Sequence, residues 1–168
     1  MEKEFKVSDG LLASHGQRFI NYFIDVIIIY ALVFLVAFVS AMIVSMFGSD
    51  GGSIFDDIGD GMATLIFLVI STVYYVIFEG FFSRSVAKFI TKTMVVNEDG
   101  SKPDFGTIFK RTLCRIIPFD ALSYLGGQSR GWHDSIPNIY VVRKDAFDQE
   151  KELFYSFEEI GKTEEPIN

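Results

Sequence analysis

The sequence predicts an all-α membrane protein: two transmembrane helices, a third short, interfacial amphipathic helix, and a small cytoplasmic β-hairpin-like element. Three observations lead to this fold class. The mean hydropathy is +0.30, and 18 of the 168 residues are Phe. The apolar residues are gathered in long blocks that are apolar all round, whereas a soluble helix or strand is apolar on one face only. The basic residues are distributed unevenly around these blocks.

The charge distribution predicts the topology. The formal net charge is −7, with 15 basic residues. Lys3, Lys6 and Arg18 precede the first apolar block, none lies between the first and second blocks, and the rest follow the second. Because short basic loops remain on the cytoplasmic side, the N-terminus is expected in the cytoplasm. The acidic, glycine-rich loop 48–61 is expected to be extracytoplasmic.

The two long blocks predict the spans. Residues 1–17 form a short cytoplasmic arm, and the spans run over about 19–47 and 62–82. A hydrocarbon core of about 30 Å requires roughly 20 helical residues, so both blocks are long enough. The first block is much longer than the apolar core of a signal peptide, roughly 7–15 residues, so it is expected to be retained.

The chain after the second span contains β signals. The run TMVV precedes the turn sequence NEDG, and IYVVR at 139–143 is its predicted partner strand. Asp104 or Thr107 is the predicted N-cap of a helix that follows the turn. These features predict the small β element.

The third apolar segment, about 108–126, is shorter than a span and contains Pro118 and Asp120. Short apolar runs of this kind are more often interfacial, re-entrant or buried. It is therefore predicted as an amphipathic, kinked helix that lies in the inner interface or packs against the spans. If it crossed the bilayer, the C-terminus would be extracytoplasmic. Residues 144–168 are mostly charged and are predicted as an acidic, disordered tail.

Asp25 raises the main functional question, because a carboxylate within a span is costly and marks a candidate functional site. Arg18 lies seven residues earlier, about 10 Å along the helix axis on nearly the same face, and its long side chain can reach the headgroups. Three interpretations remain open for Asp25. It is ionised and paired with Arg111 or Arg115, it is protonated, or it lines a hydrated cavity that binds a cation or proton.

Glu79 lies about one turn from the cytoplasmic end of the second span. Since the two spans are antiparallel, Glu79 and Asp25 lie at comparable depth, and two carboxylates facing one site would suit a proton or sodium relay. The alternative is that Glu79 only reaches headgroup water or Arg84.

His133 and Asp134 lie in a turn-rich loop. Neighbouring residues seldom point at one atom, and a single His is weak evidence for a metal. Asp134 is predicted to anchor the loop, by capping a turn or by pairing with Arg111 or Arg130. The single Cys114 excludes an intramolecular disulfide.

The sequence contains no phosphate-binding glycine loop, no HExxH and no GxSxG motif. It therefore predicts no catalytic residues, no cofactor and no metal, and a protein that is not an enzyme. The basic cytoplasmic segment is better explained by anionic lipid headgroups than by nucleic acid.

The order of these features resembles the RDD family of bacterial membrane proteins over about residues 15–143. The family pattern is matched by Arg18 and Asp25 in the first span, and then by three segments: SRSVAKFITKTMVVNEDG, FKRTLCR and RGWHDSIPNIYVV. The second family aspartate corresponds to Asp134. The chain departs from the pattern where Ser-Val-Ala-Lys replaces a Thr-Pro-Gly-Lys-like turn, and where the third segment is shorter than a span.

The resemblance implies an RDD-like membrane domain at 18–143 in a multi-pass protein of the bacterial cytoplasmic (inner) membrane. It also implies transport of ions or small ligands. Because two spans are too few to enclose a pathway, transport would require a homo-oligomer or another membrane subunit. The alternative is a non-transporting scaffold or accessory subunit with a structural charge network. The candidate relay or network residues are Arg18, Asp25, Glu79, Arg111, Arg115 and Asp134.

Overall fold

The computed structural model describes residues 5–47, 59–116 and 132–163. A short 3-10 turn, Asp9–Leu11, precedes the first long helix. In chain order the elements are α1 (His15–Met46), α2 (Asp60–Phe82), α3 (Val86–Ile90), β1 (Thr93–Asn97), α4 (Phe105–Cys114), α5 (Trp132–Ser135), β2 (Ile139–Arg143) and α6 (Lys144–Thr163).

The helices α1 and α2 occupy the two predicted spans. Both are long and apolar enough to cross a membrane, with 32 and 23 residues and hydropathies of 3.0 and 2.1. At 1.5 Å per residue, α2 is about 34 Å long, which matches a hydrocarbon core of about 30 Å. α1 starts before the predicted span because Ser14 and Gln17 form a capping box, in which each side chain bonds the other's backbone N–H.

The two long helices share a small apolar core. Its buried members are Ile29 on α1 and Tyr74 and Tyr75 on α2. Tyr30 and Phe67 extend the contact, with ring centroids 5.1 Å apart. Most of the remaining apolar surface of both helices is exposed, as expected for helices that face lipid.

Ser83 directs the chain away from α2. It has a left-handed backbone, with φ of 55°, and its N–H bonds the Glu79 carbonyl at 2.8 Å. Its own carbonyl accepts from the Val95 N–H of β1 at 2.8 Å. This turn places the short helix α3 and strand β1 directly beside the end of α2.

The predicted pairing of TMVV with IYVVR is confirmed. β1 and β2 are antiparallel, in register from Thr93 opposite Arg143 to Asn97 opposite Ile139. The strands do not form a hairpin, however, because α4 and α5 lie between them in the chain. The NEDG turn, closed by Gly100 N–H on the Asn97 carbonyl at 3.0 Å, leads into α4 instead of a return strand.

The predicted disordered tail is wrong for residues 144–163, which form α6. Phe147 and Phe154 lie seven residues apart on one face of α6, and both rings contact Phe5 edge-on, with centroids 5.7 and 5.5 Å away. Val96 and Val142 of the sheet complete this core. The N-terminal arm and α6 therefore lie on the same side of the two long helices.

The third predicted helix is seen in part. α4 begins three residues before the predicted segment, and Asp104 is its N-cap, accepting from the Gly106 N–H at 3.0 Å. The structure describes this segment up to Ile116. Pro118, Asp120 and the predicted kink lie outside the described residues.

Candidate functional site

A buried charge network lies where the start of α1 and the end of α2 meet the shorter helices. The backbone brings together side chains from five helices that are distant in sequence. All are at least nine-tenths buried except one, whose side chain is 18 % exposed. The members are Arg18 of α1, Glu79 of α2, Lys88 of α3, Arg111 of α4, Arg115 just after α4, and Asp134 of α5.

Glu79 is the centre of the network, with no exposed surface. One carboxylate oxygen, Oε1, accepts from Lys88 Nζ and from Arg115 Nη2, the latter at 3.0 Å. The other, Oε2, accepts from Arg111 Nη1. Three cations therefore neutralise one buried carboxylate, which is the condition under which a buried charge is tolerated.

Asp134 connects the rest of the network and is also fully buried. Its Oδ2 accepts from Arg18 Nη1 at 2.7 Å. Its Oδ1 accepts from Arg111 Nε at 2.8 Å and Nη2 at 2.6 Å. Arg111 thus bridges both carboxylates, using the fixed donor geometry of the guanidinium. The network ties α1, α2 and α5 to α4.

The local sequence explains why α4 supplies two cations. Ile108, Arg111 and Thr112 form its buried face, and Arg115 follows Arg111 by one turn, so both guanidinium groups point toward α2. Arg115 also covers the Tyr75 ring, with its guanidinium carbon 3.8 Å from the centroid. This cation–π contact stabilises the charge at a site with little access to water.

The surroundings shift the pKa values of the cations outside the long helices. Burial lowers the pKa of Lys88; Glu79 opposes the change and the nearby Arg111 adds to it, and the net pKa is about 8. Burial also lowers the pKa of Arg111, but the carboxylates of Asp134 and Glu79 outweigh it and the net shift is upward. Lys88 therefore loses its proton more easily than Arg111 or Arg115, whose pKa values are raised.

Asp25 lies outside this network. Its Oδ1 accepts from the Tyr74 hydroxyl at 2.7 Å and from the Ala87 N–H at 3.2 Å, and it is 2 % exposed. The Tyr74 hydroxyl in turn accepts from the Val86 N–H at 3.1 Å. Asp25 and Tyr74 thus satisfy the first backbone donors of α3, where the N-cap residue makes no side-chain bond of its own.

Two sequence interpretations are corrected by these contacts. The pairing of Asp25 with Arg111 or Arg115 is wrong, because both arginines bond Glu79 instead. Contact of Glu79 with headgroup water or Arg84 is also wrong, because Glu79 is fully buried. The predicted pairing of Asp134 with Arg111 is confirmed. Arg18 bonds Asp134 and is 8 % exposed, so it does not extend to the headgroups.

Three hydrogen-bonded polar residues beside the network, Asn21, Thr91 and Thr93, were not predicted from the sequence. The Asn21 Nδ2 donates to Thr93 Oγ1 at 3.0 Å, and its Oδ1 accepts from Thr91 Oγ1 at 2.5 Å. On α1, Asn21 lies between Arg18 and Asp25 at helical spacing, so Arg18, Asn21 and Asp25 share one face of the helix. That spacing was the available signal for a polar contact surface rather than isolated charges.

Among the described residues, no three His, Cys, Asp or Glu side chains converge as a metal site would require. Two surface cavities, of about 390 and 290 Å³, lie near the sheet, and neither is lined by a network residue.

Comparisons with curated proteins and with solved structures found no match. The model of the RDD family matches residues 12–143, which includes every network residue and Asp25. The match also confirms the resemblance noted in the sequence. Together with the two apolar helices, it indicates a membrane protein. The chain belongs to the RDD family.

Proposed function

We propose that this protein is a non-transporting membrane scaffold or accessory subunit, in which the buried charge network is structural. One observation carries the proposal: Glu79 is fully buried and bonds three cations. These are Lys88 of α3, Arg111 of α4 and Arg115 just after α4. A carboxylate that carries a cation or proton must exchange its partners during each cycle. Separating one partner from a buried ion pair costs about 3–5 kcal/mol, so this arrangement favours permanence.

The network has a clear mechanical consequence. It fastens α3, α4 and α5 to the ends of α1 and α2, and α5 leads directly into β2. The sheet, the N-terminal arm and α6 share one core. We therefore regard these parts as a platform held on one side of the two long helices, available to a second copy or to another membrane subunit. No catalytic step is included in this role.

The proposed location is the bacterial cytoplasmic (inner) membrane, with the platform in the cytoplasm and loop 48–61 outside. The uneven distribution of basic residues supports this orientation. The shared core of Phe5 and Phe147 supports the placement of both ends of the chain on one side. The tail is then cytoplasmic.

A second candidate function is transport of an ion or small ligand by an oligomer, and one observation favours it. Within the part of the chain that the structure describes, Asp25 accepts hydrogen bonds only from uncharged groups, the Tyr74 hydroxyl and the Ala87 N–H. A carboxylate without a direct ion pair, placed within an apolar helix, is suited to bind a proton or cation. Asp25 is therefore the residue that discriminates between the two functions.

The first experiment compares wild type with Asp25→Asn in liposomes. Asn keeps a side-chain oxygen that accepts from Tyr74 and Ala87, so we expect the variant to fold. For a scaffold, neither protein carries cation-driven proton flux above that of empty liposomes. Flux in the wild type that disappears in a normally folded Asp25→Asn variant would contradict the proposal and establish transport.

A further inference from the structure

The outward face of α4 is apolar. Phe105, Phe109 and Leu113 are 51, 46 and 45 % exposed, and Ile116 in the following turn is 41 % exposed. These positions recur every three or four residues and form one stripe, which we call the α4 stripe. The opposite face of α4 is buried, because Arg111 joins the charge network and Ile108 packs against the two strands. The helix is therefore anchored to the protein on one side and presents aromatic and aliphatic side chains on the other.

The α4 stripe is continuous with the end of α2. The Phe105 ring contacts the exposed Phe81 ring edge-on, with centroids 5.3 Å apart. The contact is close: a Cβ placed on Gly80 would lie 2.4 Å from Phe105 Cε1. Phe105 is thus fixed at the level of the last turn of α2. Since α2 is about as long as the hydrocarbon core is thick, that level corresponds to the boundary between acyl chains and headgroups.

Basic side chains lie on α4 itself and directly after the end of α2. Lys110 is exposed on α4, and Arg84 follows α2 and covers the Phe89 ring, with its guanidinium carbon 5.4 Å from the centroid. In the described part of the chain, neither Lys110 nor Arg84 has a carboxylate within salt-bridge distance. Lys102 donates to the Phe81 carbonyl at 2.6 Å, at the end of α2. Apolar and basic groups of this kind, side by side, suit an anionic membrane surface.

We infer that the α4 stripe is a lipid-binding surface, which inserts into the acyl boundary of the bilayer while Lys110 and Arg84 bind the phosphates of anionic phospholipids. Continuity with the lipid-facing end of α2 distinguishes this occupant from a soluble partner. The surface also explains why a short helix, whose other face is buried against the charge network and the sheet, has three large apolar side chains exposed and a fourth in the following turn. Soluble proteins rarely expose contiguous patches of this kind.

Quenching by brominated lipids tests the apolar part. Two full-length variants, Phe109→Trp and Phe157→Trp, are placed in phosphatidylcholine vesicles with and without brominated acyl chains, and their Trp fluorescence is measured. Phe157 is a matched control, since it is an aromatic residue 70 % exposed on α6. The native Trp132 contributes to all proteins, so each variant is compared with wild type. We expect brominated chains to remove most of the added emission of Phe109→Trp and none of that of Phe157→Trp.

An added emission that is equal in brominated and unbrominated vesicles would overturn the inference, because the stripe would then be covered by a second copy, by another protein or by water. Leu113→Trp reports on the same face and replaces Phe109→Trp if that variant fails to fold.

The basic part is tested with the same reporter in mixed vesicles. Brominated phosphatidylglycerol and brominated phosphatidylcholine are compared at equal mole fraction. A basic side chain at an anionic surface corresponds to about fivefold enrichment, so Lys110→Gln should lower the preference for phosphatidylglycerol by about that factor. Lys6→Gln, on the N-terminal arm, should not change it. Equal quenching by the two lipids in the wild type would overturn the assignment of Lys110 and Arg84 to phosphate.

Discussion

Asp25 and Glu79, the carboxylates within the two long helices, are surrounded by different groups. Glu79 bonds three cations, from α3, from α4 and from the turn after α4. Asp25 bonds the Tyr74 hydroxyl and the Ala87 backbone N–H at the start of α3, where the partial positive charge of a helix N-terminus favours an anion. Carboxylates thus have two structural roles at one end of the helix pair: Glu79 joins the short helices to α2, and Asp25 holds the start of α3.

Lys88 gives the charge network a predicted dependence on pH. Its pKa is about 8 in the folded protein and 10.5 when unperturbed, because burial disfavours the charged form. Between these values the unfolded chain binds a proton that the folded protein lacks, so the free energy of unfolding rises with pH across this window. The difference in unfolding free energy between wild type and Lys88→Met, measured by denaturant titration from pH 8 to 10.5, should therefore increase. A flat or falling difference would contradict the assigned surroundings of Lys88.

The sequence identifies most of the charged site residues but assigns the partners only in part. An acid in an apolar helix is conspicuous because of its cost, so Asp25 and Glu79 could be recognised without a structure. Their partners depend on how α3 and α4 fold back, which involves residues far apart in the chain. Lys88 was visible only as the basic residue of the Ser-Val-Ala-Lys segment.

Among the elements, α6 shows where composition was a poor guide. The segment is rich in charge, which is typical of disorder, yet Phe147 and Phe154 recur at helical spacing and pack on Phe5. The apolar face is narrow, and it packs on the N-terminal arm, which is far away in the sequence. Ser8 of the arm, for example, bonds Glu150 of α6 across 142 residues. Composition averages over such a face, so the periodicity was the better signal.

The packing of α6 on the N-terminal arm predicts the side of the membrane on which the tail lies. In a Cys114→Ala background, Gln149→Cys on α6 should react with a membrane-impermeant maleimide only after cells are permeabilised. Ser53→Cys, in the predicted extracytoplasmic loop, should react in intact cells and serves as the matched control. Labelling of both cysteines in intact cells would show that the tail is outside and would contradict the shared platform.

At the scale of the whole molecule, two kinds of interaction hold the parts together. Apolar contacts around Ile29, Tyr74 and Tyr75 join the long helices, and the charge network joins these helices to the platform. The contact between the long helices is small and leaves most of their apolar surface exposed. Relative placement of the platform therefore depends on charges that are buried and paired, and a scaffold requires that placement to be fixed.

The length and order of the long helices could be predicted from hydropathy, as could the pairing of β1 with β2. The hairpin topology could not, because the turn after Asn97 has the local chemistry of a hairpin but leads to Asp104, which starts a helix. A turn signal predicts a reversal of the chain and not the element that follows it.

The unfolding free energy of Glu79→Gln in lipid nanodiscs tests the central claim most directly. Gln keeps the shape but removes the charge that three buried cations require. If the network is structural, the variant should be destabilised by about 3–5 kcal/mol, the cost of leaving a buried charge without its partner. Glu152→Gln, which removes an exposed carboxylate on α6, should be within about 0.5 kcal/mol of wild type. A Glu79→Gln variant as stable as wild type would contradict the account.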